Sequence, residues 1–116
     1  MIQVKDIDVL RALLHVSYDP MLMDIIAWIE DKFLKAILTD GYRPDDKGVH
    51  GTIPCRGIDL RDTYGDPKYV ETEVNRRWIY DPARLHKNCA VYHDTGKGWH
   101  LHIQTHPNTR KREVQV

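Results

Sequence analysis

The run "CAVYHDTGKGWHLHIQTH", residues 89–106, constrains this chain more than any other stretch. Two β-rich segments flank "TGKG", the pattern of a hairpin. Alternate residues of a strand face opposite sides. Trp99, Leu101 and Ile103 therefore form one set, and His100 and His102 form the other. The apolar set predicts a face against a core, with the imidazoles left to line a surface or groove. Pairing Asp94 with Trp99 across the turn puts His93 opposite His100, although a slip of one residue would reverse the faces. A sheet with one apolar face needs helices to cover it.

Two segments supply them. In "YDPMLMDIIAWIEDKF", Asp19 is placed to accept from the first-turn amides, and Pro20 suits the first helical position. Leu22, Ile25, Ile26, Ile29 and Phe33 then follow the 3.6-residue period of a helix about four turns long. "GDPKYVETEVNRRW" repeats the start at Asp66 and Pro67, with Val70, Val74 and Trp78 on one face. A shorter helix is expected around residues 5–15. "AILTDGYRP" reads as a buried strand running into a turn, and "IDLRD" as another short strand. "DDKGVHGTIPCRG" is punctuated by glycine and proline and reads as loop. The order predicts an α+β fold, with helices on one face of a small antiparallel sheet. At 116 residues the chain has length for one domain, 1–116, with one modest core.

Charge narrows the function classes. The chain has 17 basic and 17 acidic residues. That balance argues against a nucleic-acid partner held by phosphate neutralisation, and Arg110-Lys111-Arg112 reads as a solvated tail. No apolar run approaches the roughly 18 residues of a membrane span, so no membrane partner is expected. The first residues carry charges too early for a secretory segment, which predicts a cytoplasmic product. Such a protein would reach a cell wall only if another factor released it. Cys55 and Cys89 lie in no CxxC pair and are expected as reduced, partly buried thiols.

The seven histidines carry the sharper question. A zinc site needs three or four N, O or S ligands, and a catalytic site leaves one position for water. His100 and His102 cannot close such a site alone. The best further donors are His50 in the glycine-rich loop and Asp59 entering a strand, which together would make a mixed His₂Asp set. Cys55 ranks below Asp59, since a carboxylate with imidazoles already completes a catalytic-type set. The plain alternatives are a polar HxH strand that binds no metal and an Asp59 that caps a turn. His106, before Pro107, reads as a rim residue, and His15 and His86 as structural.

Three segments, in order, resemble the zinc peptidases of the M15 type, the DD-carboxypeptidase and hedgehog-like fold. "LTDGYRP" is similar to that family's "SGYR", "GVHGTIPCRGIDLR" to its "SxHxxGxAxD", and "GWHLHIQ" to its final "HxH" strand. The resemblance spans roughly residues 20–106. It implies a Zn²⁺ cofactor held by His50, Asp59 and His102, a peptidoglycan peptide as substrate, and hydrolysis of a peptide bond. His100 would then face the same groove as a catalytic group and hydrogen-bond the substrate carbonyl or the developing tetrahedral oxyanion, the alternative being that His100 is itself the ligand. Arg43, Tyr42 and Trp99 would contact substrate, Arg43 by holding a carboxylate or polarising the scissile carbonyl. Arg43 could equally be a surface residue paired with Asp45 or Asp46, and Trp99 a core or pocket-wall aromatic. The chain departs from the family in its longer His50–Asp59 loop, and in Gly96, Lys97 and Gly98 where an acidic base is usual. His93 and Asp94 are the nearest acid–base groups. Two readings follow: a carboxypeptidase or endolysin-like zinc metallopeptidase, or a catalytically inactive zinc-binding module of the same fold. A metal-free domain that binds a partner through its polar strand face is a third.

Overall fold

A computed structural model describes residues 1–61, 66–96 and 98–112. Asp62, expected at the end of a strand, and Lys97 of the hairpin turn lie outside them.

The chain opens with strand β1 (Ile2–Val4), helix α1 (Ile7–His15) and helix α2 (Pro20–Phe33). Strand β2 (Ala36–Asp40) follows, then strand β3 (Gly57–Leu60) and helix α3 (Pro67–Arg77). A short strand β4 (Trp78–Ile79), the hairpin strands β5 (Ala90–Asp94) and β6 (Trp99–Gln104), and a short β7 (Arg110–Lys111) complete it. The main sheet has five strands in the order β1-β2-β3-β6-β5, while β4 and β7 form a separate ribbon.

The fold is α+β, but the sheet is mixed rather than antiparallel. β1 runs parallel to β2, with Ile2 opposite Ala36 and Val4 opposite Leu38. Three residues at the very start of the chain carry too little alternation to announce a strand. The hairpin has the expected register, Asp94 opposite Trp99 and His93 opposite His100.

One cluster holds the helices against one face of the sheet. Leu22, Ile25, Ile26 and Ile29 of α2 and Val70 and Val74 of α3 pack with Ile58, Leu60, Leu101 and Ile103, all without solvent exposure. Each such side chain contributes roughly 1.5–3 kcal/mol by leaving water. Trp99 departs from its set: it is 58% exposed at the sheet end, its ring beside Tyr92 with centroids 5.0 Å apart. Both cysteines are buried and free.

The two Asp-Pro starts differ. Asp66 accepts from Lys68 N at 2.9 Å, a side-chain cap. Asp19 caps no amide of α2. Its Oδ2 accepts instead from the Thr105 hydroxyl at 2.7 Å, tying the start of α2 to the segment after β6.

Candidate functional site

Strand alternation buries Ile58 and Leu60 on the helix side and turns Asp59 to the opposite face. β6 runs antiparallel to β3 and brings His102 directly opposite Asp59. On the other side of β3 the register shifts between Leu38 and Asp40, so Asp40 also lies opposite Asp59. Such irregularities re-aim side chains beside sites.

His50 arrives from the loop. It lies in a single 3-10 turn, Val49–Gly51. Two glycines let this turn lie against the strand. A Cβ on Gly57 would sit 2.8 Å from Val49 Cγ2 and 3.1 Å from His50 N. One on Gly51 would overlap the backbone oxygen of Asp46.

His50, Asp59 and His102 thus converge, with one potential ligand atom from each lying within 4.8 Å of the others. The second nitrogen of each ring is pinned. His50 Nδ1 lies 2.8 Å from the Gly41 carbonyl, which only accepts, so Nδ1 carries a proton and Nε2 faces Asp59 Oδ1 at 3.3 Å. His102 Nε2 lies 3.0 Å from Gln104 Oε1, and Gln104 Nε2 in turn donates to Asn88 O at 2.8 Å. That leaves His102 Nδ1 facing Asp59 Oδ1 at 2.9 Å. Imidazoles that ligate metals are oriented in this way, with the distal N–H held by a carbonyl or carboxylate. The donor set and both tautomers fit a divalent cation that accepts N and O ligands.

Burial works against charge at this group, and pairing overcomes it. Burial alone would raise the Asp59 carboxyl, but hydrogen bonds from His102 and His50 hold it well below the usual carboxylate range. For His50, burial would favour the neutral ring, yet the bond to Asp59 raises it above the ordinary histidine value. Without a metal, the Asp59 carboxylate lies between the two imidazoles, in contact with both.

A second pair of imidazoles stands beside the first. His93 Nε2 and His100 Nε2 are 3.1 Å apart, and His100 Nδ1 is 3.2 Å from the Gly98 carbonyl. The carbonyl fixes the proton of His100 on Nδ1, so His93 donates to His100 Nε2. That Nε2 also lies 3.8 Å from Asp59 Oδ2. Burial, then the neighbouring His100 and His102, lower His93 below the ordinary histidine value. All these histidines and Asp59 line a cleft of about 420 Å³, with Lys5, Arg43 and Arg61 on its walls.

The remaining expected residues divide. Arg43 and Trp99 line this cleft, while Tyr42 and Asp94 do not. Arg43 is paired with Asp40 at 3.5 Å and Asp46 at 3.1 Å. Tyr42 stacks on His15 of α1, ring centroids 5.9 Å apart. Its amide donates to the Tyr18 hydroxyl at 2.9 Å, and that hydroxyl donates to Ala12 O at 2.8 Å. Asp94 closes the hairpin turn, with Oδ1 accepting from Gly96 N at 2.8 Å and Gly98 N at 3.1 Å. One position along the strand from His93, it faces the other side of the sheet. His106 stands apart, its Nδ1 accepting from Asn108 N at 3.1 Å. Cys55 is buried against the carbonyls of Val49, His50 and Gly57.

Gln104 and the Gly41 carbonyl escaped the sequence reading. Gln104 was within its reach, being the next residue after His102 on the same strand face. Gly41 was not, because a backbone oxygen carries no signal in residue type.

No family model matches the chain, and no curated protein or solved structure matches it.

Proposed function

We propose that this chain is a zinc-dependent hydrolase of peptide bonds in peptidoglycan stem peptides, of carboxypeptidase or endolysin type, on a hedgehog/DD-peptidase-like fold. One observation carries the reading: two imidazoles and a carboxylate converge, and an acceptor fixes each imidazole with its free nitrogen toward the carboxylate. His50 Nε2, Asp59 and His102 Nδ1 would hold the ion. A zinc ion bound there supplies Lewis-acid polarisation of an amide carbonyl and brings the pKa of a bound water to about 7.

The chain's own residues do the rest. The acid–base role falls to the His93–His100 pair, because Asp94 is engaged in the turn. His100 Nε2 takes a proton when its bond from His93 opens, and the Gly98 carbonyl holds its Nδ1–H so that the ring stays in register. His93 positions that nitrogen by donating to it until the bond opens. Trp99 and Arg43 form the rim against which substrate lies.

The test pairs metal analysis with digestion of purified muropeptides, read as new amino groups. Wild type should bind zinc and release amines. His102→Ala should lose both, while His93→Gln should keep zinc and lose turnover. A wild-type protein that takes up no zinc would end this reading. The second reading, a zinc-binding module without turnover, is favoured by the absence, among the described residues, of a free carboxylate beside the His93–His100 pair. Asp40, the other acid among the described residues that line the cleft, accepts from Gly41 N at 2.9 Å and pairs with Arg43. Zinc uptake with no amine release selects that alternative.

A further inference from the structure

His50 and His102 form a wall with a cleft on each side. The second cleft, about 620 Å³, lies across that wall from His93 and His100, and Lys47, Arg56, Lys87 and His106 line it. Among the described residues its one carboxylate, Asp46, is already engaged: Oδ1 accepts from Gly48 N at 2.6 Å, and Oδ2 pairs with Arg43. No ion pair among the described residues involves Lys47, Arg56 or Lys87. Arg56 is held by its backbone, donating to Val49 O at 3.1 Å and accepting from Thr105 N at 3.0 Å. Its Nη1 donates to Pro54 O at 3.5 Å, while its Nε is buried without a hydrogen-bond partner. A guanidinium fixed at the base, with one head nitrogen on a carbonyl and no ion pair among the described residues, stands with two ammonium groups in the lining of one cleft, a set that matches the donor demand of a carboxylate. Arg43 is less suited to that task, since Asp40 and Asp46 already neutralise it.

We infer that this second cleft binds a carboxylate carried by the peptide substrate, on the side of the ligand wall away from His93 and His100. The identity of the ligand as a peptide rests on the peptidase reading. The carboxylate preference rests on the cleft alone. Two sources of the group are possible, a free peptide C-terminus or an acidic side chain.

The experiment titrates the full chain with two probe pairs, by calorimetry and by amide NMR. One pair is an acetylated tri-alanine with either a free carboxylate or a carboxamide at its end. The other is a blocked tripeptide with central glutamate or glutamine. In at least one pair the acid should bind about tenfold or more tightly than its neutral twin, as expected for charge-assisted hydrogen bonds. The pair that discriminates identifies the source. Shifts should appear at Gly48 and Lys87, and the double variant Lys47→Gln/Lys87→Gln should bring acid and neutral probes together. Equal binding within both pairs would overturn the inference. So would shifts confined to Gly98 and Trp99, or a preference that persists in the double variant. Zinc content, measured on the same samples, reports on the peptidase reading separately. The metal-free chain still yields the acid-to-neutral ratio if no zinc is found.

Discussion

The two faces of β6 are built from adjacent residues and answer to different physics. Leu101 and Ile103 are fully buried and touch only the core. His100, His102 and Gln104 are half-buried, each hydrogen-bonded to a named partner. The first face needs volume and shape, and the second needs direction. Fold and site can therefore fail independently although they share one strand.

The largest effect should come from the core face. Leu101→Ala should cost about 2–5 kcal/mol of unfolding free energy, from lost transfer energy and the cavity left behind. His102→Ala, one residue on, should leave the urea midpoint of the metal-free chain much closer to wild type while abolishing zinc uptake. Equal loss of stability in the two variants would dissolve the distinction between the faces.

Gln104→Ala makes a finer cut. It removes the acceptor that holds His102 Nε2 and touches no expected ligand atom. Loss of such an outer partner typically lowers metal affinity by about 10–100-fold. Competition with a zinc chelator measures it, and unchanged affinity would mean that His102 needs no orienting partner.

The smallest effect is a pH response with opposed signs. In the metal-free chain, His50 is raised above its ordinary 6.5, so its contribution is complete below that pH and disappears as pH climbs through the raised value. Asp59 is lowered below its ordinary 3.8, so its contribution is present above that value and fades as acid protonates the folded carboxylate. Stability in chelator should therefore be greatest between these limits and decline on either side. Zinc affinity should instead rise with pH over the upper limb, because the ligands must be deprotonated. Thermal unfolding with and without chelator checks both signs, and Asp59→Asn should flatten the metal-free curve.

Much of this was legible in the sequence because it follows from periodicity. Alternation assigned the faces of β6, the "TGKG" turn located the hairpin while its register stayed a conditional pairing, and the 3.6 period located α2 and α3. What escaped depends on where distant segments meet. The parallel pairing of β1 requires β2 to be in place beside it. Asp19 has the local signature of a cap, yet Thr105 claims its oxygen. Asp94 stands next to a site histidine in sequence, yet its nearest donors are the two turn amides. Trp99 follows the core alternation, but it is mostly exposed and lines the first cleft, its ring beside Tyr92. The candidate ligands came from a resemblance among motifs, and the convergence of His50, Asp59 and His102 is what the fold adds.

The Gly41 carbonyl reaches further than the ring it orients. Gly41 precedes Tyr42, whose amide is tethered through the Tyr18 hydroxyl to Ala12, inside α1. A continuous cord of hydrogen bonds thus joins a candidate ligand to the amino-terminal helix, which puts none of its side chains into the first cleft. A loosened α1 would slacken that cord and let the imidazole turn, so the beginning of the chain acts as a distant anchor for the site.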